Sequence, residues 1–467
     1  MTLHKMQNDH IYNDTTQNES SHDTSNENAL MSSMKISKAV ATMAIPSVIS
    51  SLVTVVYNMA DTFFVGQTGD PLQVAAVSLT NPIFILLMAF ANMFGMGGSA
   101  VASMALGEKN EKRVKNVSSF VIWSSFLVGI LFCLFLMLFT RPILILFGAN
   151  TQTYAFAHGY TFHIAYGAPF IIWSAAASFI VRAEGASKEA MIGSMIGTVA
   201  NIVLDPVFIS VFGLGAAGAA VATTLGNILA SIYYFWYFLK KSPHFSLSPK
   251  YFTCKNRILT RVCATGLPTA IFSALMSIST IVLNQILVAY GNAPVAAIGI
   301  VFKANMFITF LQMGLANGVQ PLLGFNYGAG NSARFIAIDR FTKKCCLIVG
   351  ILATAIFYFF RTPIIQLFID DADVVSYGVK MLVAYMLSGP FIGILFANMN
   401  CLQSTGNAFS ATILSILRQG LLLIPLLYLL NALFGLNGAI LAQALTDCIA
   451  IILSIIIWNR KKKTFSK

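Results

Sequence analysis

Charge is scarce in this sequence. Only 10% of its 467 residues are Asp, Glu, Lys or Arg, where a soluble domain carries about 25%, so an ordinary water-soluble globule is excluded. Acids are the scarcer sign, 17 against 29 Lys and Arg. Several chemical signatures are also missing. No GxxxxGK[ST] loop appears, which leaves direct ATP drive unsupported. Neither HExxH nor GxSxG nor a metal cluster falls within the apolar segments, which argues against an intramembrane enzyme and against any cofactor. The seven cysteines, at positions 133, 254, 263, 345, 346, 401 and 448, show no metal or disulfide spacing and read as small packing residues. The first residues lack the apolar core of a secretory signal peptide.

What the chain has instead is hydrocarbon. It is 57% hydrophobic, with a mean hydropathy of +0.75. A membrane-spanning helix needs about 20 apolar residues, and such runs are predicted at 39–66, 74–104, 117–139, 156–181, 190–212, 216–239, 262–290, 294–325, 343–360, 378–402, 409–431 and 438–459. The expected fold class is therefore an all-α polytopic membrane protein of twelve transmembrane helices. Residues 1–35, rich in Asn, Ser, Asp and Thr, read as a disordered tail.

Basic residues set the expected orientation. Lys109, Lys112, Arg113 and Lys115, then Arg182 and Lys188, the cluster from Lys240 to Arg261, and Arg334, Arg340, Lys343 and Lys344 all lie in alternate loops. Both tails share that side, the second being the basic stretch 460–467. The opposite loops hold Arg141, Arg361 and Lys380. The positive-inside rule places both termini in the cytoplasm of a cell whose plasma membrane holds the protein. It also explains the formal charge of +12 without a nucleic-acid partner.

The chain repeats itself. "IPSVISSLVTVVYNMADTFFVGQTGD" (45–70) aligns with "LPTAIFSALMSISTIVLNQILVAYGN" (267–292), "RPILILFGAN" (141–150) with "RTPIIQLFIDD" (361–371), "GAPF" (167–170) with "SGPF" (388–391), and "FGLGAAGAAVA" (212–222) with "FGLNGAILA" (434–442). The offset holds at 220 to 222 residues. Each copy contains six spans, so the copies are parallel repeats: an N-terminal lobe at 36–239, a basic linker at 240–261 and a C-terminal lobe at 262–459. Two such six-helix bundles around a central cleft suit alternating access by a secondary transporter.

Three acids fall inside predicted spans, Asp61, Asp205 and Asp447, with two bases, Lys303 and Arg418. Ionisable groups there are costly and usually functional. In helix 1, Ser47, Ser50, Thr54, Tyr57, Asn58 and Asp61 make one polar stripe. In helix 5, Asn201 and Asp205 stand one turn apart, and Pro206 frees the carbonyl of Ile202 as an extra oxygen. Asp61 and Asp205 lie roughly 8 and 10 Å below the same rim, so they are expected to share one pocket. Two adjacent carboxylates make a proton site. With the oxygens of Asn201 and Thr223 they equally suit a hard cation such as Na⁺. Arg418 and Asp447 lie at similar depth and are expected to form a structural ion pair. Lys303 has no obvious partner, and three readings stay open for it: repelling cations, contacting an anionic substrate group in the cleft, or snorkelling.

Other candidates read more plainly. "IDDAD" (369–373) is a solvated turn, Tyr160 and His163 near the mouth of helix 4 read as packing or interfacial residues with membership of the proton network as the alternative, and "GMGGSA" (95–100) supplies small residues for close helix contact rather than a nucleotide loop.

A helix-1 Pro followed by "DTFFVGQTGD" and "VAAVS", the helix-5 "NIVLDPVF", the "GLGAAGAAVAT" entry to helix 6 and the two six-helix repeats together resemble the MATE multidrug exporters, nearest their DinF/MepA-like bacterial branch. The resemblance covers about residues 36 to 459. It implies a V-shaped pair of bundles, monomeric, that exports small amphipathic and often cationic compounds in exchange for H⁺ or Na⁺. It also implies that Asp61 is the helix-1 carboxylate of the coupling site, with Asn201 and Asp205 as helix-5 partners and Tyr57 and Thr223 as supporting ligands. Another branch carries acids in helices 7, 8 or 10. This chain has none there, so coupling is expected in the N-terminal lobe. The alternative of related architecture is a flippase for lipid-linked oligosaccharides.

Overall fold

The computed structural model describes residues 29–369 and 371–463. Helices α1 (Ile36–Gly66), α2 (Pro71–Gly107), α3 (Glu111–Leu146), α4 (Tyr154–Ala183), α5 (Ser187–Pro206) and α6 (Ala216–Lys240) build the first lobe. The second comprises α7 (Ile258–Val288), α8 (Asn292–Gly328), α9 (Ser332–Phe359), α10 (Arg361–Gln366), α11 (Ala372–Met386), α12 (Ile392–Ser404), α13 (Ala408–Ile416) and α14 (Leu423–Lys463). Among the described residues ten helices are long and apolar enough to cross a membrane. The longest, Ala408–Lys463, divides at Gly435 into two crossings, and α11 with α12 makes one more in two pieces. Twelve crossings result, and no strand occurs among the described residues. The surface between the helix ends is apolar, with Leu138, Leu146, Phe359 and Leu367 76–83% exposed, as lipid contact requires.

The sequence repeat reappears as repeated backbone geometry. Gly69 and Gly291 both turn with positive φ, 69° and 104°, where no Cβ would collide and only the left-handed backbone selects glycine. Gly215 (φ 55°, ψ −132°) and Gly435 (φ 58°, ψ −143°) reverse the chain at matching points of the two lobes. Asn110 caps α3 by accepting from Arg113 N at 3.0 Å, and Asn331 caps α9 by accepting from Arg334 N at 3.0 Å. Near the opposite end of those helices the backbone leaves helical geometry at Phe139 and again at Phe360.

One break is not repeated. α4 passes through Pro169 as a continuous helix, whereas the equivalent "SGPF" interrupts the crossing between α11 and α12. Backbone freed in an apolar interior must find partners within the protein. Gln312 of α8 supplies them: its Nε2 donates to Gly389 O at 2.7 Å and its Oε1 accepts from Gly393 N at 2.7 Å.

The lobes touch at the face that carries both chain ends, and glycine makes the contact possible. A Cβ on Gly266 would lie 1.9 Å from Met93 O, on Gly97 2.1 Å from Val262 O, on Gly107 2.0 Å from Phe325 O, and on Gly328 2.0 Å from Met104 O. Gly314 and Gly318 of α8 press against α1 at Val48 and Ala44. All these positions lie in the halves of α1, α2, α7 and α8 nearest the termini. The cleft is therefore sealed at the terminal face and opens towards the other.

Two further pieces strap the terminal face. Residues 29–35, assigned to the tail from sequence, are folded: Leu30 and Met31 are buried, Met31 O accepts from Asn326 Nδ2 at 3.1 Å and Leu30 O from Arg334 Nη2 at 3.4 Å. Their side chains also approach Gly185 of the first lobe. Their apolar character, not their polar neighbours, decides their fate. The rest of the predicted tail, 1–28, lies outside the described residues, as do 464–467 of the basic tail, while Arg460 to Lys463 extend α14. The linker, narrowed to 241–257, is held to the first lobe. Glu184 accepts from Tyr237 Oη, Ser242 Oγ, His244 N and Phe245 N at 2.8–3.3 Å. Burial pushes its carboxyl up to about 7 against the pull of those donors. Ser119 Oγ and Trp123 Nε1 of α3 donate to Ser248 O and Leu247 O.

Candidate functional site

α1 carries its polar stripe into the open half of the first lobe. Much of the stripe is satisfied by its own helix: Ser47 Oγ, Thr54 Oγ1 and Asn58 Nδ2 donate to carbonyls four residues back, at 3.2, 2.9 and 2.9 Å. Tyr57 crosses to α6 instead, its hydroxyl 3.3 Å from Thr223 Oγ1. Thr223 also accepts from Asn201 Nδ2 of α5 at 3.1 Å. One hydroxyl thus ties α1, α5 and α6 together.

Asp205 stands one turn beyond Asn201 and is fully buried. Neither of its carboxylate oxygens has a hydrogen-bond partner, nor does Asn201 Oδ1. Three buried oxygens without donors in one place are unusual, because buried polar atoms are nearly always paired. Asp61, half-buried on α1, is close enough to act electrostatically on Asp205, and both act on Tyr57. α5 ends at Pro206 and continues as a π-helical turn, Val207–Val211, a form concentrated at functional sites.

For Tyr160 the structure favours the alternative to simple packing: it is buried and within the electrostatic reach of both Asp61 and Asp205. Its depth was the available signal. It lies six residues into α4 from the open face, about 9 Å, level with the two acids. His163 does not join, its Nδ1 lying 2.7 Å from Gly159 O on its own helix. Among the described residues no group of three His, Cys, Asp or Glu could hold a metal ion. The oxygen set here suits a proton or a hard monovalent cation as cargo.

The second lobe treats its charges differently. Arg418 Nε donates to Asp447 Oδ1 at 2.7 Å, Gln443 Nε2 to the same oxygen at 3.0 Å, and Ser388 Oγ to Oδ2 at 2.9 Å. The guanidinium lies over Phe272 and Phe396, 5.2 and 5.4 Å from their ring centres. The helix break described above is what brings Ser388 to the carboxylate. Arg418 sits in a second π-helical turn, Leu417–Leu421, where Ser279 Oγ donates to Gln419 O. Removing one member of a buried pair typically costs about 3–5 kcal/mol. Asp447→Asn should therefore lower the thermal unfolding midpoint in detergent markedly, and Arg418→Met combined with Asp447→Leu should recover much of the loss. An unshifted midpoint for Asp447→Asn would show that the pair is not structural.

A fourth buried acid, Asp339, lies outside the predicted spans, in the basic stretch of α9 that begins at Ser332 and carries Arg334, Arg340, Lys343 and Lys344. Asp339 is buried but fully engaged, with Lys343 Nζ at 2.6 Å, Trp458 Nε1 at 3.0 Å and Cys401 Sγ at 3.3 Å. The i,i+4 spacing to Lys343 was its signal. "IDDAD" resolves into a helix cap, with Asp371 Oδ1 accepting from Val374 N at 2.9 Å, while residue 370 is outside the described set. In "GMGGSA", Gly95 and Gly98 admit Phe179 and Val121 side chains and Gly97 admits the α7 backbone.

Comparison with known proteins matches this architecture. The MatE family model fits residues 46–207 and again 268–429, both boundaries displaced by 222 residues. Multidrug export protein MepA of Staphylococcus saprophyticus is 34% identical over 420 residues, 90% of this chain and 93% of that protein. Multidrug export protein MepA of Staphylococcus aureus strain MSSA476 is 33% identical over the same shares. Among solved structures, the outward-facing conformation of a multidrug resistance MATE family transporter of the MOP superfamily superposes with a TM-score of 0.89 at 23% identity, covering 94% of this chain and 98% of that one. At that identity the likeness speaks for the fold.

Proposed function

The chain belongs to the MatE family, and on that premise we propose that it is a secondary active multidrug efflux antiporter. It exports small amphipathic, often cationic compounds in exchange for H⁺ or Na⁺, with coupling at Asp61 and Asp205. The observation that carries this reading is Asp205: buried, with both carboxylate oxygens unpaired beside the unpaired oxygen of Asn201. An ionised carboxylate so placed is expensive, and a proton or a desolvated cation relieves it. The relatives named for multidrug export favour this reading over a lipid-linked sugar flippase.

Mechanically, the terminal face is the cytoplasmic one, on the distribution of Lys and Arg. With the cleft open to the cytoplasm an amphipathic compound enters between the lobes, and the bundles then rock to the form sealed at the terminal glycines. The coupling ion arrives from outside at Asp61 and Asp205. Because Thr223 joins Asn201 on α5 to Tyr57 on α1, occupancy of the carboxylates is felt by α1, which Pro46 leaves free to bend. Movement of α1 releases the substrate. The structural pair Arg418–Asp447 keeps the second lobe rigid and outside the coupling.

The test is transport in proteoliposomes with ΔpH and ΔNa⁺ imposed separately. Dye accumulation should follow one of the two gradients and collapse when that gradient is dissipated. Equal transport with neither gradient present would sink the antiport reading.

A further inference from the structure

Lys303 is the ion that the lobes leave over. The first lobe's Asp61 lies within electrostatic reach of Asp205, and the second lobe's Arg418 is spent on Asp447. Among the described residues no carboxylate lies within ion-pair distance of Lys303, and it makes no hydrogen bond.

Its place on α8 says what it faces. The face of α8 that meets the first lobe is marked by Gly314, Gly318 and Gly328, each pressed against α1 or α2. At 100° per residue, Lys303, eleven residues before Gly314, falls within about 20° of that same face, with Phe307 and Phe310 between them. The opposite side of the helix, through Val301, Ala304, Ile308 and Gln312, is buried in its own lobe. Along the marked face exposure rises away from the seal. Gly314 is buried, Phe310, Phe307 and Lys303 are half-buried, Gly299 and Ala296 are exposed, and a Cβ on Gly299 would touch nothing within 4 Å. This gradient is that of a wall diverging from its partner, so Lys303 lines the cleft.

Depth excludes the ordinary escape of a membrane lysine. Lys303 lies eleven residues into α8, about 16 Å below its open end, near the midplane of a hydrocarbon core about 30 Å thick. Snorkelling serves lysines near helix ends. Here the ammonium instead points at whatever occupies the cleft at the level where transporters of this architecture bind cargo. A wall with a free cation across from a lobe with two carboxylates is dipolar.

Resting on the export reading above, we infer that Lys303 is a specificity residue that binds an anionic group of the substrate. Phe310, two turns along the same face, offers apolar surface to the ring system of such a molecule, and Phe307 between them is braced by Phe357 of α9, 6.4 Å between ring centres.

A matched pair of dyes tests this: a rhodamine with a free carboxylate and the methyl ester of the same dye. Their binding to the purified full-length protein is followed by fluorescence polarisation, and their efflux from cells carrying it is followed in parallel. Lys303→Ala should weaken binding of the acid by about tenfold, the size of one charge-assisted contact, and leave the ester unchanged. Lys303→Arg should retain the acid. Equal losses for acid and ester, or an acid that binds variant and parent alike, would overturn the assignment. Failure of the parent protein to export either dye would count against the export reading instead, since the binding comparison does not depend on a gradient.

Discussion

Vesicles carrying the Asp205→Asn protein should show gradient-driven export no greater than protein-free vesicles, while binding of a cationic dye to the purified protein persists. Asparagine keeps the volume and removes only the ionisable oxygen, so the buried packing around α5 survives. The neighbouring oxygen of Asn201 has no donor in the native site, and the new amide can supply one, which favours folding further. On the proposed coupling, what is lost is the ability to exist in an empty, charged form and a loaded, neutral one. A site whose occupancy cannot change biases neither conformation against the other, and such a site shifts no equilibrium. Asp61→Asn should act in the same direction with a smaller effect, because Asp61 is half-buried and Asp205 is not exposed at all. Export by Asp205→Asn at the parent rate under the same gradient would remove the carboxylate from the mechanism.

A single methyl group at Gly266 should break the seal between the lobes. The added Cβ would stand 1.9 Å from Met93 O and 2.6 Å from its carbonyl carbon. These are backbone atoms, so no side chain can swing aside, and the two helices must separate. Overpacking of this kind costs about 1–3 kcal/mol, enough to change the balance of a two-state transporter by about fivefold or more. Intrinsic helix propensity runs the other way, since alanine is better than glycine by about 1 kcal/mol. A loss can therefore be assigned to the collision. In a background without the native cysteines, Ser103→Cys reports the seal directly, because Ser103 is buried beside Gly324. It should resist a water-soluble thiol reagent in the parent and be labelled in Gly266→Ala, with export reduced in step. Continued protection of that cysteine with unchanged export would show that the glycine contact does not hold the cleft closed.

Much of the scaffold was legible because its determinants are local. An apolar run long enough to span hydrocarbon announces a helix wherever it lies. Turns such as Gly69 and Gly291, or the caps Asn110 and Asn331, depend on a few neighbouring residues. The internal offset of 220 to 222 residues then fixes two like lobes. Where "SGPF" breaks a helix that "GAPF" does not, the decision belongs to Gln312 on another helix, and no local rule finds it.

By itself, then, the sequence determined a twelve-helix, two-lobed membrane protein with both ends on one face, and it named the charges inside. Tertiary structure decided which of those charges are paired. Asp339, Asp447 and Asp205 are the same side chain and all three are buried, yet the first two are saturated by Lys343, Trp458, Arg418 and Ser388, and the third has no donor. The energy of a buried carboxylate is set by the few atoms within about 3 Å of it, and those come from helices distant in the chain. The same holds for the cleft, whose closed end is fixed by glycines of one lobe meeting backbone carbonyls of the other.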